Sequence, residues 1–225
     1  MPNPREAVVD RRTFLAASLV LAAGAAVPGL ADTAPGDVVL PAPQPGGGRP
    51  LFETLAARRS ERAFSPEPLP PAVLGNLLWA AFGINRPDSG RRTAPSCRNW
   101  QEIDLYAATR DGLFLYDAKR HALSRVLDTD VRGLCGRQDF VRDAPLNLVY
   151  VADRARMAAQ SEEDLVFFAG TDTGLISQNV YLFCASEGLA TVVRALIDKP
   201  ALAAAMKLRP EQRITLAQTV GYPRK

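Results

Sequence analysis

The stretch that decides the fold runs from Glu163-Asp164-Leu165-Val166-Phe167-Phe168 through Leu175-Ile176 to Gln178-Asn179-Val180-Tyr181-Leu182-Phe183-Cys184-Ala185-Ser186-Glu187. It is the longest helical candidate in the chain. Leu165, Phe168, Leu175, Ile176, Val180, Tyr181 and Phe183 make it apolar on more than one side, as in a helix buried in a core or a subunit interface. Gly188 stops it. The flanking elements alternate in type. Leu51 to Arg59 has helical spacing, and Pro70-Pro71 opens a second helix over Ala72 to Phe82, its buried stripe Val73, Leu74, Leu77, Leu78 and Phe82. Ile103 to Ala107 alternates as a strand and pairs with Leu113 to Tyr116 across Arg110-Asp111-Gly112. Leu146 to Val151, Ala190 to Arg194 and Ile214 to Val220 read as further strands, Pro200 to Met206 as a helix, and Asn85 to Asn99 as a polar loop. The prediction is an α+β fold, a mixed central sheet surrounded by helices. No Gly-rich fingerprint follows a strand, which argues against a Rossmann enzyme.

Composition narrows the chemistry. The 225 residues are 47% hydrophobic and 23% charged, which suits one domain with a sizeable core. A net charge of +3 is too small to imply a nucleic-acid partner. There is a single histidine, His121, in the polar stretch Ala118 to Ala122, where a surface or structural role is expected. The three cysteines, Cys97, Cys135 and Cys184, lie far apart, fit no complete disulfide set and give no metal-ligand spacing. Cys184 reads as a buried small hydrophobe, and Cys97 as a thiol that could lie near a ligand.

The N-terminal region reads as a targeting segment. Asp10-Arg11-Arg12-Thr13-Phe14-Leu15 precedes an Ala-rich apolar stretch from Ala16 to Val27, and Gly29-Leu30-Ala31 offers small residues at a cleavage point. This resembles a bacterial twin-arginine export signal over residues 1–31, with a membrane anchor or a buried helix as the alternatives. Residues 32–50, with Pro41-Ala42-Pro43-Gln44-Pro45-Gly46-Gly47-Gly48, are expected as a flexible leader, and residues 51–225 as the domain. The localisation expected from this is periplasmic or exported.

Four segments remain. They are Arg58-Arg59-Ser60-Glu61-Arg62-Ala63-Phe64; Leu77 to Arg86 with Arg92-Thr93-Ala94-Pro95-Ser96; Gln178 to Leu182 running on to Ala185-Ser186-Glu187-Gly188-Leu189; and Val220-Gly221-Tyr222-Pro223-Arg224-Lys225. In their order and character they resemble the nitroreductase-like flavoproteins, nearest to the SagB-like branch that oxidises azolines in peptides. The resemblance covers Leu51 to Lys225.

What it implies is an FMN-dependent oxidoreductase of nitroreductase-like fold with the cofactor at a homodimer interface. Arg58 and Arg62 would reach the phosphate and ribityl, with Arg59 in the same cluster, Ser60 adding a hydroxyl and Arg224 closing the site from the C-terminus. Guanidinium groups suit a dianionic phosphate because they donate paired, charge-assisted bonds; taken alone, the cluster also reads as solvated surface charge. The second subunit would lend Pro95, Ser96, Cys97 and Asn99, although Cys97-Arg98-Asn99-Trp100-Gln101 departs from the family's usual loop sequences. Gly188, Leu189 and Ala190 would pass backbone groups near the ring, with Gly188 as a helix cap besides. The flavin N5 would carry the redox step between a donor and a small organic molecule, so that no protein acid or base is required. NAD(P)H is the family's usual reductant, whereas export favours a periplasmic donor or oxidation of an organic substrate. The alternative function is a non-catalytic flavin- or ligand-binding member, its substrate face blocked by the unusual loop and the bulk of Trp100.

Overall fold

The computed structural model describes residues 35–44, 46–158 and 161–224. The twin-arginine segment and Lys225 lie outside them. In chain order the elements are β1 (Val38–Val39), α1 (Leu51–Ala57), α2 (Pro71–Phe82), β2 (Ile84–Arg86), β3 (Arg91–Arg92), β4 (Ile103–Thr109), β5 (Gly112–Asp117), β6 (Ala122–Leu127), α3 (Phe140–Asp143), β7 (Leu146–Asp153), α4 (Glu162–Glu187), β8 (Ala190–Arg194), α5 (Lys199–Ala205) and β9 (Gln212–Gly221). Among the described residues the main sheet has seven strands in the order β1-β6-β5-β4-β7-β9-β8. The α+β class is as predicted. The sheet, however, is antiparallel at every pairing rather than mixed.

β7 explains the layering. All eight of its residues are buried, so its sequence shows no polar alternation. Leu148, Tyr150 and Ala152 face a core built with Leu77, Leu78 and Phe82 of α2 and Ile176, Val180 and Cys184 of α4. Val149 and Val151 face the opposite core, with Cys135, Val141, Leu202 and Met206. A strand covered on both faces belongs at the centre of a sheet, and β7 sits between β4 and β9.

α4 begins where Ser161 caps it, its hydroxyl accepting from the Asp164 N–H at 3.1 Å. Glu162, Glu163 and Asp164 fill the first turn, where the helix dipole favours negative charge. It ends at Gly188 in the left-handed conformation, φ +72°. The expected multi-sided apolarity resolves into two faces. Ile176, Val180 and Cys184 pack on the sheet, while Val166, Phe167 and Leu175 stay exposed. On α1, Leu51, Phe52 and Leu55 are exposed as well, Phe52 at 85%.

Three local expectations are corrected. Part of the segment 32–50 is built into the fold rather than left as a flexible leader: β1 pairs with β6, Leu40 is buried, and the Gln44 N–H donates to Asn76 Oδ1 at 2.9 Å. His121 pins the same segment. Its Nε2 donates to the Pro41 carbonyl at 3.0 Å, so its Nδ1 accepts from the Tyr116 hydroxyl at 3.0 Å, and burial pushes its pKa down. The Asn85–Asn99 loop contains a small hairpin, β2 with β3. β6, unmarked in the sequence because Ser124 and Arg125 interrupt its apolar residues, extends the sheet beyond β5.

Candidate active site

The Arg58-to-Arg62 cluster leaves α1 as an extended segment laid against the end of α4. The Glu61 N–H donates to the Thr191 carbonyl of β8 at 2.9 Å. The C-terminal segment pairs alongside: Ser65 N–H to Tyr222 O at 2.8 Å, Arg224 N–H to Ala63 O at 3.0 Å, and the Arg224 Nε to Phe64 O at 3.2 Å. Arg224 is thus brought to the cluster, as expected, and its backbone fixes where the guanidinium starts.

Tyr181 of α4 organises this corner, a role the sequence did not disclose. Its hydroxyl accepts from the Val193 N–H at 3.0 Å and lies 2.8 Å from Ser60 Oγ. Either hydroxyl can donate in this pair, and Tyr181 holds Ser60 in place at the start of the basic segment. The Arg58 guanidinium sits over the same ring, 5.2 Å from its centroid. Arg58, Arg62 and Arg224 form no ion pair among the described residues, whereas Arg59 is paired with Glu61 at 3.4 Å and is largely exposed. Guanidiniums outside any ion pair and a serine hydroxyl are the donor types suited to a phosphate dianion.

The expected ring-side residues gather next to it. Gly188, Leu189 and Ala190 line a cavity of about 230 Å³ with Arg59, Glu61 and Tyr181. Nothing lies within 4 Å of where a side chain on Gly188 would begin, so the backbone there is open to a flat ligand. Arg62 and Arg224 line a separate cavity of about 570 Å³ with Arg137, Gln138, Phe140 and Asp143. Arg137 was not anticipated. Arg194, buried behind Phe140, donates to Asn147 Oδ1 at 2.8 Å and leaves Nε and one terminal nitrogen unpartnered; burial lowers its pKa to about 10.

Pro95, Ser96, Cys97 and Asn99 are not brought to this corner within one chain. Their loop packs against the middle of α4, where the Cys97 N–H donates to Asp172 Oδ2 at 2.9 Å and Trp100 meets Phe168 edge-on at 5.8 Å. From Asp172 to Tyr181 the helix rises about 14 Å. Ser96 Oγ accepts from the Gln101 N–H at 3.0 Å, and Asn99 is exposed. Cys97 is a half-buried free thiol; Cys135 and Cys184 are buried, and burial pushes the Cys135 thiol up to about 12. Among the described residues no group of His, Cys, Asp and Glu could hold a metal ion.

A nitroreductase family model matches residues 55–222. The chain belongs to the nitroreductase family. The matched region includes Arg58 to Arg62, Tyr181 and Gly188 to Ala190 and stops just short of Arg224. A candidate nitroreductase from Methanocaldococcus jannaschii, MJ1384, is 30% identical over 152 residues, covering 63% of this chain and 76% of the relative. The crystal structure of a candidate nitroreductase from Ralstonia eutropha JMP134 superposes with a TM-score of 0.80 at 41% identity, covering 84% of this nitroreductase-family chain and 90% of that one. The NADPH:FMN oxidoreductase of Vibrio harveyi, solved in complex with NAD+, shares the fold at 20% identity and a TM-score of 0.59, covering 78% of this chain and 68% of its own.

Proposed function

We propose that this nitroreductase-family protein is an FMN-dependent oxidoreductase that works as a homodimer on a small organic substrate. The observation that carries the proposal is the basic segment itself: Ser60 is held by Tyr181, Arg58 lies over the same ring, Arg224 is strapped alongside by backbone pairing, and Arg58, Arg62 and Arg224 form no ion pair among the described residues. Arg58, Ser60, Arg62 and Arg224 would hold the phosphate and ribityl, and the open backbone from Gly188 to Ala190 would lie against the ring. FMN, when bound, supplies two-electron chemistry at its N5. The chain's own part is to orient the cofactor, neutralise its phosphate and keep the ring face accessible.

Dimerisation is supported by two features. Large apolar residues stay exposed on both α4 (Val166, Phe167, Leu175) and α1 (Leu51, Phe52, Leu55). The placement of the Pro95–Asn99 loop, about 14 Å along α4 from the basic corner, also calls for a second copy if that loop is to join the flavin. Trp100, whose bulk motivates the non-catalytic alternative, is packed on Phe168 of its own chain.

The proposal extends to an exported protein on the strength of the Arg11-Arg12 segment, with electrons arriving from a periplasmic donor or from an organic substrate that the enzyme oxidises. NAD(P)H is the competing donor, favoured by the name of the Vibrio harveyi relative. Purified protein is expected to be yellow, to release FMN on denaturation, and to lose it when Arg58 and Arg62 are replaced by Ala. Colourless protein that stays so after incubation with FMN would overturn the proposal. Anaerobic bleaching by NADPH decides between the donors.

A further inference from the structure

A cavity of about 620 Å³ lies outside the basic corner, between α2, the β2–β3 hairpin and the second half of α4. One of its walls is neither helix nor strand. It is the segment of Gln44 and residues 46–49, which crosses from α2 to α4 and is tied at both ends. The Gln44 N–H donates to Asn76 Oδ1 on α2 at 2.9 Å, and the Arg49 N–H donates to Ser186 Oγ on α4 at 2.9 Å. The Arg49 carbonyl accepts from the Thr54 hydroxyl at 3.2 Å, so the residue is fixed on both sides of its Cα. The crossing segment approaches α4 too closely for a side chain: a Cβ on Gly48, at φ +78°, would lie 2.6 Å from Ser186 Oγ.

Arg49 lines this cavity and also the ring-side cavity next to Gly188, and no other residue lines both. An exposed arginine is ordinarily a solvated charge. This one starts from a fixed backbone between two cavities, and its guanidinium forms no ion pair among the described residues. The rest of the lining supplies further donors and an apolar surface. Asn76 and Asn85 have their side-chain oxygens occupied, by the Gln44 N–H and by Arg86 Nε at 3.1 Å, which leaves both NH2 groups without a partner. Trp79, Leu182 and Phe183 form the apolar part. Glu187 is the one acid on the lining, and its Oε1 accepts the Ser186 hydroxyl at 3.4 Å instead of pairing with Arg49. Such a lining, partly aromatic with a few fixed donors and an unpaired cation, matches a flat ligand that carries an anionic oxygen group.

We infer that the cavity beneath the crossing segment binds a flat organic carboxylate, with Arg49 holding the carboxylate where the two cavities meet. Arg49 is then the residue that selects acids over neutral molecules of the same shape, and Glu187 limits the strength of that selection. That the bound acid is the substrate rests on the proposed function; the acid-selective cavity does not.

The test uses 2-naphthoate and 2-naphthamide, alike in shape and different in charge. Their affinities for the full-length protein are measured by calorimetry, first without FMN and then with it. Without FMN, naphthoate is expected to bind about tenfold tighter than naphthamide. Arg49→Gln is expected to remove that preference and leave naphthamide affinity within about twofold. Glu187→Gln is expected to tighten naphthoate roughly two- to threefold by removing a like charge. Gly48→Ala, which cannot keep the Ser186 tie, is expected to weaken naphthoate. Equal binding of the two probes, an equal loss of both in Arg49→Gln, or loss of the preference in Arg58→Ala with Arg49 intact overturns the inference. With FMN, a change in flavin absorbance on adding naphthoate supports binding beside the ring. Selective binding without that change keeps the cavity and separates it from the flavin, and selective binding by protein that takes up no FMN keeps the cavity while the proposed function fails.

Discussion

Replacing Tyr181 with Phe tests whether the basic corner is organised as described. The substitution keeps the ring that packs under Arg58 and removes only the hydroxyl. Two contacts go with it: the Val193 N–H loses its acceptor at 3.0 Å, and Ser60 Oγ loses its partner at 2.8 Å. Tyr181 is 7% exposed, so water does not readily replace the phenol. A hydrogen bond of this kind contributes about 1 kcal/mol net, and an amide left unpaired in a half-buried setting costs about 1–3 kcal/mol. The expected loss of stability is therefore about 2 kcal/mol, read as a lower urea midpoint at unchanged slope and fixed protein concentration. Ser60 would then be free to turn, and FMN affinity is expected to weaken roughly tenfold, about 1.4 kcal/mol. A change in stability below about 0.5 kcal/mol together with unaltered FMN affinity would refute this organising role of the hydroxyl.

Two further outcomes concern the frame around the site. Gly112 opens β5 at φ +133°, and a Cβ there would lie 2.2 Å from the Leu127 carbonyl oxygen. Gly112→Ala is expected to cost roughly 2–4 kcal/mol through strain and a displaced β6, seen in thermal denaturation as a fall of many degrees; a Tm within 2 °C of wild type would contradict the register. The second concerns pH. The Glu102 pKa is raised on folding, so between 4.5 and about 7 the native state binds more protons than the unfolded chain, and stability falls as pH rises through that window. The drop should reach about 3 kcal/mol and level off above the folded value. Urea unfolding at pH 5, 6, 7 and 8 would show this slope in the wild type and lose it in Glu102→Gln; parallel profiles would count against a protonated Glu102.

Elements with a strong local signal were legible in the sequence. α4 was marked by its length and by Gly188, α2 by Pro70-Pro71, and β4 with β5 by alternation around a Gly-containing turn; all three depend on short-range backbone chemistry. β6 was missed because its polar residues mask its pairing with β5, and β1 because Pro and Gly nearby suggest flexibility while Leu40 and His121 anchor the segment from elsewhere. The basic cluster and Arg224 were also readable, since charge and residue type are local properties.

What the sequence determined by itself was the order of the long helices and of strands β4, β5, β7, β8 and β9, the α+β class and the family resemblance carried by Arg58 to Arg62, Gly188 and Arg224. Only the tertiary structure decided how these meet. It set the Tyr181 hydroxyl between Ser60 and Val193, moved the Pro95–Asn99 loop to mid-helix, put Arg137 and Arg62 on one cavity, and buried the Glu102 carboxyl. Each of these joins residues far apart in the chain, and the energy that favours them comes from burial and hydrogen-bond partners that exist only once the helices and the sheet have packed.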